Sequence, residues 1–369
     1  MTSSHGHAYC ATIHHCEHQV QTLLGFTKEA RFVRHAKCWR SHSRQPARPT
    51  LTHRIRPLDP GGLIIQFGSY RRRVAANKGV IGSPSRGAIM SESDIEINSR
   101  FLSKVGVHVE DTGGSGRPIV LIHGWPLSKE SWRGQIPVLS QAGFRVVAYD
   151  RRGFGQSDKP GGGYDYDTLT EDLHGLITEL DLHDTTLVGF SMGGGEVARY
   201  VSTYGQERLR SVVFASAVPP YMLQTDDNPQ GPLTKDHAAK MTTDLTADRE
   251  GFFDQFTKDF FSVDGVLKIT ESQRQQAKEL CLLSDQKAAL ACMKSFGTED
   301  FRDDLPNVTI PALVIHGDGD VIVPFPGSGA RTHEAIPHSH LVVIAGGPHG
   351  CNVSHPSEFN TALVEFLQS

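Results

Sequence analysis

The pentapeptide Gly-x-Ser-x-Gly at residues 189–193 contains the side chain best suited to covalent chemistry, Ser191. The apolar pair Leu187 and Val188 precedes it and a helical pattern follows it, which predicts a strand, a tight turn and a helix. Such a turn exposes the serine hydroxyl, and its two glycines avoid collisions with neighbouring backbone. The pentapeptide alone fits a surface turn equally well, but the flanking strand and helix favour a nucleophile.

A serine hydroxyl becomes a nucleophile when an imidazole takes its proton and a carboxylate orients that imidazole. After a serine in a turn of this kind, the acid and then the histidine are expected later in the chain. The apolar run 312–315 leads into a loop with Asp320, and the run 341–344 leads into a Gly/Pro loop with His349. We therefore predict Asp320 as the acid and His349 as the base. The alternatives are Asp318 for the acid and His338, His340 and His355 for the base.

Acyl transfer also requires hydrogen-bond donors for the negative charge that develops on the carbonyl oxygen. The backbone N–H of Met192, directly after the nucleophile, is one expected donor. The N–H of Trp125, in the loop after the first buried strand, is the other. His123 in the same loop is expected to be a structural hydrogen-bonding residue, and Arg152 and Asp158 are expected to hold the loop after the next strand.

Six apolar runs predict the buried strands that position these residues, and helical patterns separate most of them. This alternation predicts an α/β fold with a mostly parallel sheet and a ligand site at the carboxyl ends of its strands. We also predict a leading strand over residues 101–109, a hairpin turn at 113–116, a helix over 131–140, and a helix opened by a capping box at Thr168 and Glu171. The six runs are 118–122, 144–149, 187–188, 212–215, 312–315 and 341–344.

The interval between Pro219 and Pro311 breaks this alternation, because it contains no apolar strand and reads as polar and helical sequence. An insertion of that length at the carboxyl ends of the strands would lie over Ser191. We therefore predict a helical cap that shapes the substrate pocket. The predicted boundaries are 90–221 for the first part of the core, 222–308 for the cap and 309–369 for the second part of the core.

The composition excludes several classes of protein. The apolar fraction of 38% is typical of a globular chain, and the sequence has no run of about 18 apolar residues of the kind that spans a membrane. The six cysteines form no C-x-x-C pair, and a disulfide framework is not expected in a chain of 369 residues. Reduced thiols and a cytoplasmic location are therefore predicted.

Residues 1–89 contain 14 Lys and Arg but 3 Asp and Glu, although the whole chain has a formal net charge of −4. No amphipathic period persists in them, which predicts a disordered basic extension. A targeting arm would need an apolar signal core, which this segment lacks. A nucleic-acid-binding arm would need aromatic residues interleaved with the basic ones, and these are also missing. Metal binding by the His-rich start, residues 5–18, is a further alternative. Because Met90 begins a sequence typical of a natural start, an over-extended reading frame is the preferred explanation.

The segment from about residue 97 to residue 369 resembles the α/β-hydrolase superfamily. Within it, the chain is similar to the cofactor-free (non-haem) haloperoxidases, also called perhydrolases, and to their sister arylesterases. The motifs that carry the resemblance form a specific set, because few other branches share all of them. They are His123-Gly124-Trp125-Pro126-Leu127-Ser128, Tyr149-Asp150-Arg151-Arg152-Gly153-Phe154-Gly155-Gln156-Ser157, Tyr164-Asp165-Tyr166-Asp167, Val188-Gly189-Phe190-Ser191-Met192-Gly193 with Glu196-Val197-Ala198-Arg199-Tyr200, and Thr225-Asp226-Asp227-Asn228-Pro229.

The resemblance implies an α/β-hydrolase fold, in which a mostly parallel sheet is flanked by helices and a helical cap is inserted after the sixth canonical strand. It also implies a role for each residue of the site. These are Ser191, Asp320 and His349 as catalytic triad, the backbone amides of Trp125 and Met192 as oxyanion hole, and Pro126 and Phe190 at the substrate pocket.

The activity implied by the resemblance is dual. Carboxylic esters are hydrolysed through an acyl-serine, and hydrogen peroxide in place of water gives a peracid that can oxidise chloride or bromide. No metal, haem or other cofactor is implied. The expected partners are a small ester or carboxylic acid, hydrogen peroxide and a halide, with no nucleic acid and no membrane, and assembly into a homo-oligomer is left open.

Other functions compete with this interpretation. A plain esterase or lactonase with negligible peroxide activity is the first alternative, and a non-catalytic ligand-binding protein of the same fold is the alternative from another class. A nucleic-acid-binding protein would have to use the basic segment 1–89. Dehalogenases and epoxide hydrolases share the fold but use an aspartate nucleophile, which Ser191 argues against.

Overall fold

The structure, a computed structural model, describes residues 97–102 and 106–369. The predicted basic extension 1–89 and the predicted start at Met90 lie outside the described residues. Within the described part, no helix combines the length and the apolar character needed to cross a membrane.

Eight strands form one twisted sheet in the order β1-β2-β4-β3-β5-β6-β7-β8. β2 runs antiparallel to both of its neighbours, and all the other pairs are parallel. The central strands are rich in branched aliphatic residues and buried on both faces, as expected for a sheet covered by helices. The strands are β1 (Asn98–Leu102), β2 (Val107–Asp111), β3 (Pro118–Ile122), β4 (Arg145–Asp150), β5 (Thr185–Phe190), β6 (Leu209–Ala215), β7 (Ala312–Gly317) and β8 (His340–Ile344).

Helices connect the parallel strands and cover the sheet. Several begin at a side-chain cap, for example α6, where Thr270 and Gln273 form a capping box. The helices are α1 (Ile136–Gln141), α2 (Tyr166–Glu179), α3 (Met192–Tyr204), α4 (Lys235–Ala247), α5 (Arg249–Phe261), α6 (Glu271–Leu282), α7 (Gln286–Thr298), α8 (Gly329–Ala335), α9 (Cys351–Ser354) and α10 (Pro356–Gln368).

The helical cap predicted after the sixth strand is present. Helices α4 to α7 and a short two-stranded hairpin, residues 262–267, lie in the chain between β6 and β7. The fold class predicted from the sequence is thereby confirmed. The residue boundaries predicted for the cap and the two parts of the core stay predictions.

Four local predictions differ from the structure. The leading strand predicted over 101–109 is two antiparallel strands, β1 and β2, because the chain turns at Gly106 with a φ of +68°. Residues 113–116 are not a hairpin turn, since they join β2 to β3 and β4 lies between those two strands in the sheet.

The other two differences concern helix starts. The helix predicted over 131–140 is a 3₁₀ turn at Lys129–Trp132 followed by α1. Helix α2 begins before the predicted capping box, because the Asp165 carboxylate accepts the Thr168 N–H and caps the helix three residues earlier in the chain than Thr168 itself could.

After β3 the chain forms β4 on one side of that strand and then β5 and the later strands on the other side. The predicted nucleophile lies at this change of direction. β3 and β5 are neighbours, with Ile122 in register with Gly189, so that the loops after both strands meet at the same edge. β6, β7 and β8 follow outward from β5. The loops after β3, β5, β7 and β8 therefore share the crevice in which α/β proteins bind ligands.

Candidate active site

Ser191 lies in the sharp turn between β5 and α3. Its φ of 54° and ψ of −117° are strained for a residue with a side chain, which costs about 1–3 kcal/mol. The surrounding backbone maintains this conformation, because the Ser191 N–H donates to the Ala215 carbonyl at 2.9 Å. A Cβ on Gly189 would collide with the Gly193 carbonyl, and one on Gly193 would lie 2.7 Å from the Ile122 carbonyl oxygen. Both glycines are therefore required by close packing, as predicted.

The three side chains predicted as a triad form one hydrogen-bonded chain. The Ser191 Oγ lies 3.0 Å from the His349 Nε2, and the His349 Nδ1 lies 2.6 Å from the Asp320 Oδ2. All three residues are buried. Because a carboxylate accepts hydrogen bonds, the imidazole carries its proton on Nδ1 and offers an unprotonated Nε2 to the serine hydroxyl. This arrangement can remove the serine proton as the hydroxyl attacks a carbonyl carbon.

Three hydrogen-bond donors and a neighbouring histidine surround the Asp320 carboxylate; the His316 Nε2–H itself donates to the Val323 carbonyl at 2.8 Å. Its Oδ1 accepts the N–H groups of Ile322 and Val323 at 2.9 and 2.8 Å, and its Oδ2 lies 3.2 Å from the His316 Nε2 as well as near His349. Burial is the largest influence on the pKa of Asp320 and raises it, but His349 and His316 together outweigh burial and lower the pKa to about 2. The acid of the site is therefore ionised at neutral pH.

The alternative acid and bases lie elsewhere. The exposed Asp318 accepts the Gly346 N–H at 2.6 Å. His338 lies 2.9 Å from the Ile310 carbonyl, His340 is exposed at the start of β8, and His355 lies 2.9 Å from the Ser354 Oγ. None of these four side chains takes part in the hydrogen-bonded chain at Ser191 within the described part of the structure.

The Met192 N–H is oriented by the carbonyl of the same peptide unit. The Ser191 carbonyl accepts N–H groups from Gly194 at 3.0 Å and from Val218 at 3.2 Å. In a trans peptide the N–H points opposite to the C=O. Fixing the Ser191 carbonyl therefore turns the Met192 N–H away from those donors, and over residues 106–369 this N–H has no acceptor of its own.

The peptide unit between Gly124 and Trp125 is locked in the same way. The Gly124 carbonyl accepts the Leu127 N–H at 3.0 Å and lies 2.9 Å from the His123 Nδ1. The Trp125 N–H consequently points to the other side, and it too lacks an acceptor in the described residues. Each of the two predicted oxyanion donors is thus oriented by hydrogen bonds to the carbonyl group of its own peptide unit.

His123 is a neutral imidazole with an assigned tautomer. Its Nε2 accepts the Arg151 N–H at 3.0 Å, so the proton is on Nδ1 and is donated to the Gly124 carbonyl. Burial, and then the nearby Arg151 charge, hold the pKa of His123 well below its usual value. His123 has the structural hydrogen-bonding role that its position in the loop suggested.

A buried ion pair holds the loop after β3 to helix α3. The Arg151 Nη2 donates to the His123 carbonyl at 2.7 Å, and its Nε donates to Glu196 of α3 at 2.7 Å. The Tyr149 hydroxyl donates to the other Glu196 oxygen at 2.9 Å. Burial raises the pKa of Glu196, and Arg151 opposes that effect. Since both charges have hydrogen-bond partners, the pair fixes the loop relative to α3 without leaving an unpaired buried charge.

A cavity of about 700 Å³ opens above Ser191. Its inner wall is aromatic, and Trp125 contacts the three cap phenylalanines that line the cavity, with ring centroids 6.3 Å away for Phe252, 5.2 Å for Phe256 and 5.6 Å for Phe296. Polar side chains from the facing sides of α4 and α5 form another part of the lining. They are His237, Lys240, Asp244, Asp248, Gln255 and Asp259. The shape suits a small molecule whose acyl or aryl group is apolar.

Pro126 and Phe190, expected at the substrate pocket, do not line this cavity among the described residues. Phe190 is 1% exposed, and its ring lies under the site between the rings of Trp132 and His349. The neighbouring Trp125 side chain, and not Pro126, forms part of the cavity wall. Both predicted pocket residues are therefore corrected to buried positions adjoining the site.

Sequence reasoning missed the aromatic residues of α5 and the second histidine on the acid. Phe252, Phe256 and Phe260 recur every four residues, which is a helical spacing that could have assigned them to one face. His316 directly precedes the predicted acid loop, but its contact with Asp320 depends on how that loop turns. No sequence signal identified that contact.

Three cysteines in the described residues, Cys281, Cys292 and Cys351, are buried and unpaired. Burial raises the pKa of Cys292 and of Cys351 to about 12, so these thiols are protonated. The Cys351 Sγ lies 3.6 Å from the Ser216 Oγ. Among residues 97–102 and 106–369, no group of three or more His, Cys, Asp or Glu side chains has the arrangement of a metal site.

The sheet order, the strained serine between β5 and α3 and the cap after β6 define the class of α/β hydrolases. The sequence profile of the alpha/beta hydrolase fold matches residues 117–356 of this chain. That range includes Ser191, Asp320 and His349.

Curated and solved relatives refine this class. A non-heme chloroperoxidase from Kitasatospora aureofaciens is 41% identical over 257 residues, which are 69% of this chain and 93% of that protein. A bifunctional esterase/perhydrolase from Acinetobacter calcoaceticus is 32% identical over 268 residues, 72% of this chain and 97% of that protein. The crystal structure of a bromoperoxidase from Bacillus anthracis is 51% identical with a TM-score of 0.70, covering 71% of this chain and 95% of that one. The chain belongs to the non-haem haloperoxidase and perhydrolase family of α/β hydrolases and is an enzyme, as the sequence predicted.

Proposed function

We propose that this enzyme hydrolyses carboxylic esters through an acyl-serine at Ser191 and also transfers the acyl group to hydrogen peroxide. The observation that carries the proposal is the unbroken contact from the Ser191 Oγ through His349 to Asp320 beneath an apolar cavity. The family assignment supports the same chemistry. The roles of the individual residues are part of the proposal.

In the acylation step, the His349 Nε2 takes the proton of the Ser191 hydroxyl while the Oγ attacks the ester carbonyl carbon. The carbonyl oxygen becomes negatively charged and accepts the N–H groups of Trp125 and Met192. The imidazolium is stabilised by the Asp320 carboxylate. His349 then gives its proton to the leaving alcohol, and the acyl group stays on the serine oxygen.

In the second step, water or hydrogen peroxide attacks the acyl-serine while His349 again accepts a proton. Water gives the carboxylic acid and restores the serine hydroxyl. Hydrogen peroxide gives the peracid RCO₃H and restores the same hydroxyl. The peracid can then react with bromide in solution, RCO₃H + Br⁻ giving RCO₂⁻ + HOBr, so that the peroxide oxygen oxidises the halide and this route requires no redox group on the protein.

The first test is the substitution Ser191→Ala. Because removing the nucleophile leaves stabilisation by the oxyanion donors alone, the kcat for hydrolysis of p-nitrophenyl acetate is expected to fall at least about 10⁴-fold. The matched control is Ser211→Ala. Both serines are 6% exposed, but Ser211 contacts Thr186 at the opposite end of the sheet. Wild-type turnover by Ser191→Ala, with the control also active, would reject the proposed nucleophile.

A second test separates the peracid route from a plain esterase or lactonase. Since the peroxide oxygen reaches the halide through a peracid, bromination of monochlorodimedone with hydrogen peroxide should require acetate or another carboxylate. The rate is expected to rise with acetate concentration in the wild type and to be lost in Ser191→Ala. Full-rate bromination without carboxylate would contradict the peracid route. Ester hydrolysis without any acetate-dependent bromination would instead favour the plain esterase.

The proposed partners are small molecules: an ester or carboxylic acid, hydrogen peroxide and a halide. We further propose a cytoplasmic location, which the three buried protonated thiols support because such thiols persist in a reducing compartment. Size-exclusion chromatography with light scattering would test the open question of a homo-oligomer.

A further inference from the structure

The end of cap helix α5 lies directly against the imidazole of His349. The rings of Phe260 and His349 have centroids 4.7 Å apart and are nearly perpendicular, at 89°. On another side of the imidazole, the Phe190 ring lies at 5.1 Å. Phe260 is 2% exposed and does not line the cavity. Its ring is therefore placed to hold the imidazole rather than to contact a ligand.

The backbone makes the same connection. The Phe260 carbonyl, near the end of α5, accepts the N–H of Gly350, the residue after His349, at 3.0 Å. This contact leaves no room for a side chain at position 350, because a Cβ there would lie 2.7 Å from a Phe260 ring carbon and 2.6 Å from one of Phe261. The loop that carries His349 is thus joined to the cap by a hydrogen bond and by close packing.

Other residues of α5 reach the cavity. Phe252 and Phe256 line it, and the Phe256 and Phe260 rings have centroids 5.4 Å apart. A second cap helix, α7, holds the opposite wall, where the Trp125 indole N–H donates to the Ala289 carbonyl at 2.9 Å. One helix of the cap therefore connects the cavity wall to the proposed base, and another connects the cap to the proposed oxyanion loop.

We propose that Phe260 is a positioning residue for His349 and that α5 couples the cap to the geometry of the base. This inference rests on the proposed function, in which His349 is the base. The Phe260 ring limits rotation of the imidazole and excludes water, so that the contacts to Ser191 and Asp320 persist together. Rate depends steeply on such alignment, and a displacement of about 1 Å can cost about 10²-fold.

The positioning role and a purely structural role predict different kinetics. A residue that only stabilises the cap would, when altered, reduce the amount of folded enzyme or change binding in the cavity. A residue that positions the base would lower kcat while KM stays nearly constant, because Phe260 does not reach the cavity. Comparing the change in kcat with the change in KM therefore distinguishes the positioning role from the purely structural role.

The test compares Phe260→Leu with the control Phe144→Leu. Both phenylalanines are buried, at 2% and 8% exposure, but Phe144 directly precedes β4, at the end of the sheet opposite to His349, and its ring packs against the Arg117 guanidinium. With p-nitrophenyl acetate, Phe260→Leu is expected to lower kcat about tenfold and to change KM less than about twofold. Phe144→Leu is expected to change both constants less than about twofold. Equal losses of kcat in the two variants, or a rise in KM alone, would overturn the proposal.

A spectroscopic measurement examines the base directly. The short contact between the His349 Nδ1 and the Asp320 Oδ2, 2.6 Å, should give a far-downfield proton resonance in ¹H NMR spectra of the full-length protein. We expect this resonance to shift upfield or broaden in Phe260→Leu and to be unchanged in Phe144→Leu. An unchanged resonance in Phe260→Leu would overturn the positioning role.

Two additional variants keep the result interpretable. If Phe260→Leu does not fold, as judged by circular dichroism, Phe260→Met replaces it, since methionine fills much of the same volume without a ring. The variant His349→Gln tests the proposed function separately. An inactive His349→Gln beside a fully active Phe260 variant would overturn this inference alone, whereas an active His349→Gln would overturn the base assignment and this inference with it.

Discussion

Asp320 shows how the site keeps a charge in a buried position. Burial alone favours the neutral acid, but the imidazoles of His349 and His316 outweigh it and lower the pKa to about 2, while two backbone N–H groups fix the position of the carboxylate. The carboxylate can therefore keep the His349 proton on Nδ1 throughout the neutral pH range. A protonated acid could no longer do so, since one of its oxygens would become a donor.

The lowered pKa predicts a specific pH dependence of stability. The pKa of Asp320 in the folded state, about 2, lies below its usual value of 3.8, so its contribution to folding is present above pH 4 and is lost as the pH falls toward 2. When the pH falls from 5 to 3, the free energy of unfolding of the wild type should decrease by about 1 kcal/mol more than that of Asp320→Asn, because asparagine at position 320 does not titrate. Urea unfolding at the two pH values measures this difference.

The control for this prediction is Asp318→Asn. Asp318 belongs to the same loop, but it is exposed and accepts a backbone N–H from Gly346 without an imidazole partner. Asp318→Asn should therefore lose stability between the two pH values by nearly the same amount as the wild type. If the wild type and Asp320→Asn lost equal amounts of unfolding free energy between pH 5 and pH 3, the lowered pKa of Asp320 would not contribute to the stability of the fold.

Residues that follow strands could be predicted from the sequence, and residues that act by packing could not. Ser191, Asp320 and His349 each follow an apolar run, so their meeting at one edge of the sheet was expected from parallel topology. Phe260 contacts His349 because α5 folds back over the loop after β8. That contact depends on the geometry of the cap, which periodicity does not encode.

At the level of elements, the turn between β5 and α3 depends on how closely α3 approaches β3. A Cβ at Gly193 would lie 2.7 Å from the Ile122 carbonyl oxygen and 2.9 Å from the Ile122 Cγ2. Ile122 is the last residue of β3, directly before the proposed oxyanion loop. A shift at this point would move the loop that carries the Trp125 N–H.

We predict that Gly193→Ala lowers both stability and activity. Alanine is favoured over glycine in a helix by about 1 kcal/mol, but the collision with a backbone carbonyl should outweigh that gain. The expected net loss is about 1–2 kcal/mol in the free energy of unfolding, with a fall in kcat/KM of at least about tenfold. Denaturant unfolding and steady-state kinetics on p-nitrophenyl acetate measure the two effects.

Gly134→Ala is the matched control for this element. A Cβ at Gly134 would have no heavy atom within 4 Å, and the residue is exposed. Its substitution should leave kcat/KM unchanged and alter stability by less than about 0.5 kcal/mol. A Gly193→Ala protein that matched this control in both measurements would show that the turn tolerates a side chain.

The accuracy of the element predictions follows from the strength of their signals. Continuous apolar runs identified β3 to β7 because strands buried on both faces contain few polar residues. The edge strand β8 is less buried, but its run of Leu, Val and Ile gave the same signal. The division between β1 and β2 was missed because alternating polar and apolar residues continue across Gly106. The start of α2 was missed because Asp165 and Thr168 are both good capping residues, and the structure uses the first.

At the scale of the whole molecule, the parts of the proposed active site come from distant segments that the sheet and cap bring together. The sheet provides Ser191, Asp320 and His349, and the cap provides most of the cavity wall. The presence of the cap could be predicted from an interval without strands. Its aromatic contacts with Trp125 and His349 could not, because they depend on the way that α5 and α7 pack.

Residues 1–89 are expected to be dispensable for catalysis. Every residue with a role proposed here lies between 106 and 369, and the curated chloroperoxidase relative matches over 257 residues that are 93% of its own length. A protein that begins at Met90 should therefore retain kcat and KM for p-nitrophenyl acetate within about twofold, and acetate-dependent bromination should also be unchanged. Both assays on the full-length and shortened proteins, with circular dichroism to compare folding, test this expectation. A large loss of activity in a folded, shortened protein would show that the basic segment contributes to the enzyme.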